Sequence, residues 1–262
     1  MGWLNRKSAW EKEWETLQRR EASFLRRQSA GQESLLNRKL EKVVPENLQD
    51  KLDMAFGKAF QLVFEKGTKV IEKTYAKEKQ EDAYRVREFT LGLRENRKNL
   101  KAFSRQAGMT SAKNLAVSGV EGVGLGLLGI GIPDIPLFTG MILKSVYEIA
   151  ISYGFPYDTW EERLFILKLI RASMEHGENL EALNSEIDEM IDGDGAWQGE
   201  QREEIRKTAE TLSRELLYMK FLQGLPVAGV VGGIADAVYL KKITEYASMK
   251  YQRRLLLKVK DK

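Results

Sequence analysis

Residues 117–153, VSGVEGVGLGLLGIGIPDIPLFTGMILKSVYEIAISY, are the most apolar run in a chain that is otherwise polar and heavily charged. Between 123 and 143 the single charge is Asp134, set between Pro133 and Pro136. Ser118, Gly122 and Gly126 recur every fourth residue and so share one helix face, where small side chains let another backbone come close. Gly129, Gly131 and Pro133 end that helix, because glycine is costly in a helix interior and proline cannot donate to its ladder. A second helix is predicted from about Ile135, with Phe138, Met141/Ile142, Val146, Ile149 and Tyr153 at helical spacing. Gly154 and Pro156 close it in a Gly-then-Pro stop. The run therefore reads as a helix, a tight Gly/Pro turn and a helix.

The length is near the roughly 20 residues a membrane span needs. Its large apolar residues offer about −4 kcal/mol to insertion, while Asp134 costs about +3 kcal/mol. Glycine and proline add a penalty of about a few kcal/mol more in a straight helix. The balance is near zero or unfavourable, which favours a hairpin buried in a helical bundle over one laid into a membrane. Gly124, Gly126 and Gly129 formally match a dinucleotide fingerprint. That fingerprint needs a preceding strand and a long following helix, and the flanking sequence offers neither.

A second segment, 222–251, echoes the first. It has Pro226, small residues four apart (Ala228 and Gly232, Gly229 and Gly233), Asp236 as the one acid before residue 245, and then a helical apolar pattern. The Gly-rich turn, Pro133-Asp134-Ile135-Pro136, and Ile149-Ala150-x-x-Tyr153-Gly154-Phe155 together resemble the bacterial EcsC family. The Pro226-Val-Ala-Gly block with Gly232, Gly233 and Asp236 resembles that family's second block, and the likeness spans about 45–251. The family is named for an operon that encodes an ABC transporter. The resemblance implies a transporter- or secretion-linked role and carries over no catalytic residue.

The 262 residues divide into an amphipathic N-terminal helix over 1–30, a helical domain over 31–251 and a basic C-terminal tail over 252–262. Hydrophobic content of 43% is ample for a core, and a mean hydropathy of −0.40 fits a soluble protein. The first thirty residues contain no apolar signal-peptide core, and there is no cysteine. Disulfides, thiolate metal sites and cysteine nucleophiles are thereby excluded, and a cytoplasmic location is expected. The net charge of +4 hides an asymmetry: residues 241–262 hold eight Lys/Arg against two acids, and 175–210 hold twelve acids against three Lys/Arg. The acidic block argues against nucleic acid as a partner.

Trp10, Trp14, Leu17 and Phe24 line one side of the first helix, with Arg19, Arg20, Arg26 and Arg27 beside them. Tryptophan with arginine suits a membrane–water interface; the same pattern also suits a helix that packs on a bundle through its tryptophans. Arg253 and Arg254 join these residues as candidate contacts for an anionic membrane surface or a membrane protein complex. Further helices are predicted from Pro45, from Ala83 to Phe103 with Gly108 ending it, and from a capping box at Thr159 and Glu162. A charged break is expected over 77–82, an acidic helix around 180–191 and a long helix over 200–222. No strand pattern is convincing, and the fold class is all-α: a multi-helix bundle around two Gly/Pro-rich apolar hairpins.

Catalytic signals are weak. His176 is the only histidine and is expected to cap a helix C-terminus. The loop from Asp192 matches a calcium loop poorly, since Ala196 replaces an oxygen ligand and Trp197 the glycine. No metal or cofactor is expected. Asp134, Glu148 and Asp236 are the candidate buried polar residues. The first and last could cap helices or converge between the hairpins. The leading expectation is a non-enzymatic, membrane-surface-associated accessory protein. The alternative is a hydrolase-like enzyme acting on a lipid or small substrate with these acids between the hairpins. Oligomeric state is not legible.

Overall fold

Ile135–Ser152 is apolar on every side, and a helix of that kind must be surrounded. It is the centre of the bundle. The computed structural model describes residues 7–29, 46–66, 69–126, 135–193, 199–222 and 234–260. The described helices are α1 (Ala9–Ser29), α2 (Glu46–Lys66), α3 (Lys69–Glu72), α4 (Lys77–Leu93), α5 (Arg97–Gly126), α6 (Ile135–Ser152), α7 (Trp160–Met174), α8 (Gly177–Asp192), α9 (Gln201–Leu222) and α10 (Ile234–Lys260). No strand occurs among the described residues, so the all-α reading holds.

α6 packs on α2, α4, α5 and α10. α10 also receives α5, α7 and α1, and α9 lies across α2 and α7. Ile142, Leu143, Val146, Tyr147, Ile149 and Ala150 of α6 meet Phe165, Ile166, Leu167, Leu169 and Ile170 of α7 and Leu240, Ile243, Tyr246 and Ala247 of α10 in one core. Among the described helices α6 alone has the length and hydropathy to cross a bilayer, yet 72% of it is buried within the fold. α5 and α6 pack on each other and both on α10, so the helices of the two Gly/Pro segments lie together. The turns of both segments fall outside the described residues.

Local signals explain several boundaries. Gly154 takes φ +81°, its N–H reaches Ile151 O at 2.9 Å and Phe155 N–H reaches Ala150 O at 3.0 Å. That pair of bonds is a Schellman stop, which needs a residue free to adopt a left-handed conformation. Thr159 accepts from Glu162 N–H at 3.2 Å, a cap worth about 1 kcal/mol.

Other expectations are corrected. Residues 77–82 are not a break but the start of α4. The helix expected over Ala83–Phe103 is two helices, because the Asn96 side chain accepts from Asn99 N–H at 3.0 Å and caps α5 afresh. Gly108 does not end that helix. α5 runs through it for 30 residues, since packing rather than propensity holds a helix of this length. Residues 252–260 are not a separate tail. They are the last turns of α10, with Leu255 and Leu256 in the core. His176 caps no C-terminus: it precedes α8, and Glu175 closes α7.

Candidate functional site

The N-terminal half of α6 opens onto a cleft of about 290 Å³. Pro136, Leu137, Gly140, Met141, Lys144 and Ser145 form one wall, Asn114 of α5 another, Leu240 of α10 a third. Ile71 and Thr74, in and just after α3, cover the remaining side. Pro136 belongs to the first Gly/Pro segment, and Leu240 stands one turn beyond Asp236 of the second. The two stretches that the sequence singles out therefore meet at this cleft.

Three polar groups shape it. Lys144 is half-buried and forms no ion pair among the described residues. Ser145 is 1% exposed, and its hydroxyl has no hydrogen-bond partner among the described residues. Asn114 donates from Nδ2 to Glu148 Oε2 at 2.5 Å. Gln80 of α4 donates to the other carboxylate oxygen at 2.7 Å. Glu148 is thus buried behind the cleft wall and accepts from two neutral amides, one on each oxygen.

α3 is held over the cleft by a second network. Tyr75 donates its hydroxyl to Tyr157 at 2.6 Å, and Tyr157 donates to Glu72 Oε1 at 2.6 Å. Lys77 pairs with the same Glu72 oxygen at 2.8 Å. Tyr157 stacks on Tyr147 with ring centroids 4.2 Å apart. Burial pushes the Tyr75 and Tyr157 hydroxyls up, so both keep their protons and act as donors.

The structure brings together only part of the expected set. Asp134 and the side chain of Asp236 lie outside the described residues. The candidate membrane residues are spread along α1 and α10. Trp10 and Trp14 stack at 5.1 Å and pack against the core. Trp10 gives its indole N–H to Leu256 O at 2.7 Å, and Arg253 lies over the Trp14 ring at 5.2 Å. Arg253 also pairs with Asp192, Arg254 with Glu162 at 2.7 Å and Arg27 with Glu245 at 2.7 Å. Arg20 donates to Gln252 at 3.1 Å, Arg19 to Glu15 O at 3.2 Å, and Arg26 is exposed. Sequence reasoning missed Asn114, Lys144 and Ser145. Lys144 had a signal, as the one cation in the apolar helix; Asn114 had none.

The model of the EcsC protein family matches residues 10–256. The chain belongs to the EcsC family. It is 28% identical over 144 residues to Protein EcsC of Bacillus subtilis (strain 168), covering 53% of this chain and 58% of that protein. It is 29% identical over 127 residues to Uncharacterized protein YdbA of the same organism, covering 47% and 46%. The chain spans about half the length of the curated relatives it matches. No solved structure matches it. The matched residues take in α6, α10 as far as Leu256 and every wall of the cleft.

Proposed function

We propose that this EcsC-family chain is a non-enzymatic accessory protein that lies against the anionic, cytoplasmic face of a membrane, where it serves a membrane complex such as an ABC transporter. One observation carries the reading. Val86, Phe89 and Leu93 of α4 are 66%, 68% and 72% exposed, and Met109 of α5 is 69% exposed. The three on α4 follow helical spacing and so form one stripe. Exposed Arg85, Lys98, Arg105 and Lys113 lie on the same two helices and exposed Arg94 between them; the two helices pack as a hairpin.

Apolar side chains bordered by cations suit the headgroup boundary of a bilayer. Full burial of one such side chain is worth about 1.5–3 kcal/mol, and a cation near an anionic surface about 1 kcal/mol. Partial insertion of four apolar groups with several cations supports reversible, salt-sensitive attachment. This surface is not the α1 face that the sequence suggested; Trp10 and Trp14 there are partly buried and pack against the core.

Flotation with phosphatidylcholine vesicles, with and without phosphatidylglycerol, tests the proposal. The full chain is expected to float with the anionic vesicles at low salt and to be released at high salt. Phe89→Glu with Leu93→Glu should abolish flotation while leaving the circular dichroism melt unchanged, because both side chains are exposed. No flotation of the wild type, or flotation that survives the double variant, would overturn the proposal.

A further inference from the structure

The cleft between α6, α5 and α10 is a second binding feature, and it does not depend on the membrane-surface reading. We infer that it holds the anionic head of a single-chain amphiphile, of the class of fatty carboxylates and alkyl phosphates. Lys144 and Ser145 would contact the head, and Ile71, Leu137, Met141 and Leu240 the first carbons of the chain.

Four observations carry this. Lys144 brings a positive charge to the wall with no carboxylate paired to it among the described residues, and a cation in an apolar wall favours an anionic occupant. Ser145 places a buried hydroxyl there without a partner among the described residues. A buried hydroxyl without a hydrogen bond costs on the order of 1–3 kcal/mol, and a ligand oxygen would remove that cost. The nearby Glu148 forms no ion pair with the lysine among the described residues; its two oxygens accept from the amides of Gln80 and Asn114. Finally, Gly140 faces open space: a Cβ built there meets nothing within 4 Å. The backbone of α6 is bare where the chain of a ligand would lie.

The size narrows the class. Small-molecule sites fall at about 300–1,000 Å³, and about 290 Å³ is at the lower edge of that range. It suits a head with part of one chain and is too small for a diacyl lipid.

Dodecyl phosphate and dodecanoate, titrated below their micelle concentrations into the full chain by calorimetry, test the assignment. Saturable binding of both is expected, with dodecanol and inorganic phosphate each at least tenfold weaker. Lys144→Gln should weaken the anionic amphiphiles at least tenfold and leave dodecanol unchanged. Gly140→Leu fills the cleft and should abolish binding, and the melting temperature reports whether that variant folds. The inference is overturned by absence of saturable binding to the wild type. It is also overturned if dodecanol binds as tightly as dodecyl phosphate, if inorganic phosphate alone matches it, or if Lys144→Gln leaves the affinity intact. The vesicle experiment reads α4 and α5, so either result can fail without the other.

Discussion

Lys250 Nζ lies 2.6 Å from Asp188 Oδ1 in a side chain that is 1% exposed. The same ammonium pairs with Glu21, so one lysine of α10 joins α8 to α1. Breaking a buried pair by removing one partner leaves uncompensated charge, at a cost of about 3–5 kcal/mol. Lys250→Met should therefore destabilise the protein by roughly that amount in urea unfolding. Adding Glu21→Gln and Asp188→Asn to the same variant should recover most of the loss. A change below about 0.5 kcal/mol for the single variant would show that the lysine is dispensable.

Trp10 is bound to α10 through the carbonyl of Leu256. Trp10→Phe removes the donor and keeps most of the apolar body, so stability should fall by about 1 kcal/mol. Vesicle flotation should be unaltered by this change. A Trp10→Phe variant that keeps wild-type stability but no longer floats would return α1 to the membrane surface.

That contrast shows what was legible in the sequence. The Gly/Pro stop at Gly154 and the cap at Thr159 are local chemistry, written within a few residues, and the structure repeats them. The burial of Trp10 and Arg253 is decided by partners such as Leu256, Asp188 and Glu21, up to 246 residues away, and amphipathicity alone cannot tell lipid from a neighbouring helix. The exposure of Val86, Phe89 and Leu93 was hidden for the same reason. Their periodicity reads as a core stripe, and only the placement of α4 at the bundle edge shows that nothing within the described fold covers them. Of the cleft, the sequence marked the Pro136 wall but gave no sign of Asn114, which reaches it from α5.

His176 carries a pH dependence. Burial is the main cause that pushes its imidazole down from 6.5 to about 4, with Lys242 adding to the effect. The folded state thus binds fewer protons than the unfolded state between these values. Stability should be complete above pH 6.5 and fall as pH drops from 6.5 towards 4. His176→Asn should flatten the urea midpoint over that window relative to the wild type. An unchanged slope would mean the imidazole is solvated enough to titrate normally.

Glu148 accepts one amide bond on each carboxylate oxygen. Replacement by Gln puts an NH2 where one donor already points, leaving two N–H groups face to face in a buried site. A cost of about 1–3 kcal/mol is expected for Glu148→Gln. Asn114→Asp in that background supplies an acceptor opposite the new amide and should restore part of it. The double-mutant cycle in urea measures the coupling; additivity of the two changes would show that Asn114 and Glu148 do not act as a pair.

Gly154 combines a backbone and a steric requirement. Its φ of +81° disfavours any side chain, and a Cβ built there would lie 2.0 Å from Tyr84 Cζ. The conformational part costs about 1–3 kcal/mol, and displacement of a ring packed edge-on to Phe103 at 5.8 Å adds to it. Gly154→Ala should lower the melting temperature markedly. Tyr84→Ala removes the clash but not the left-handed backbone, so in that background the Gly154→Ala penalty should shrink without vanishing. If the penalty is the same in both backgrounds, the ring yields freely and backbone geometry alone explains why glycine stands there.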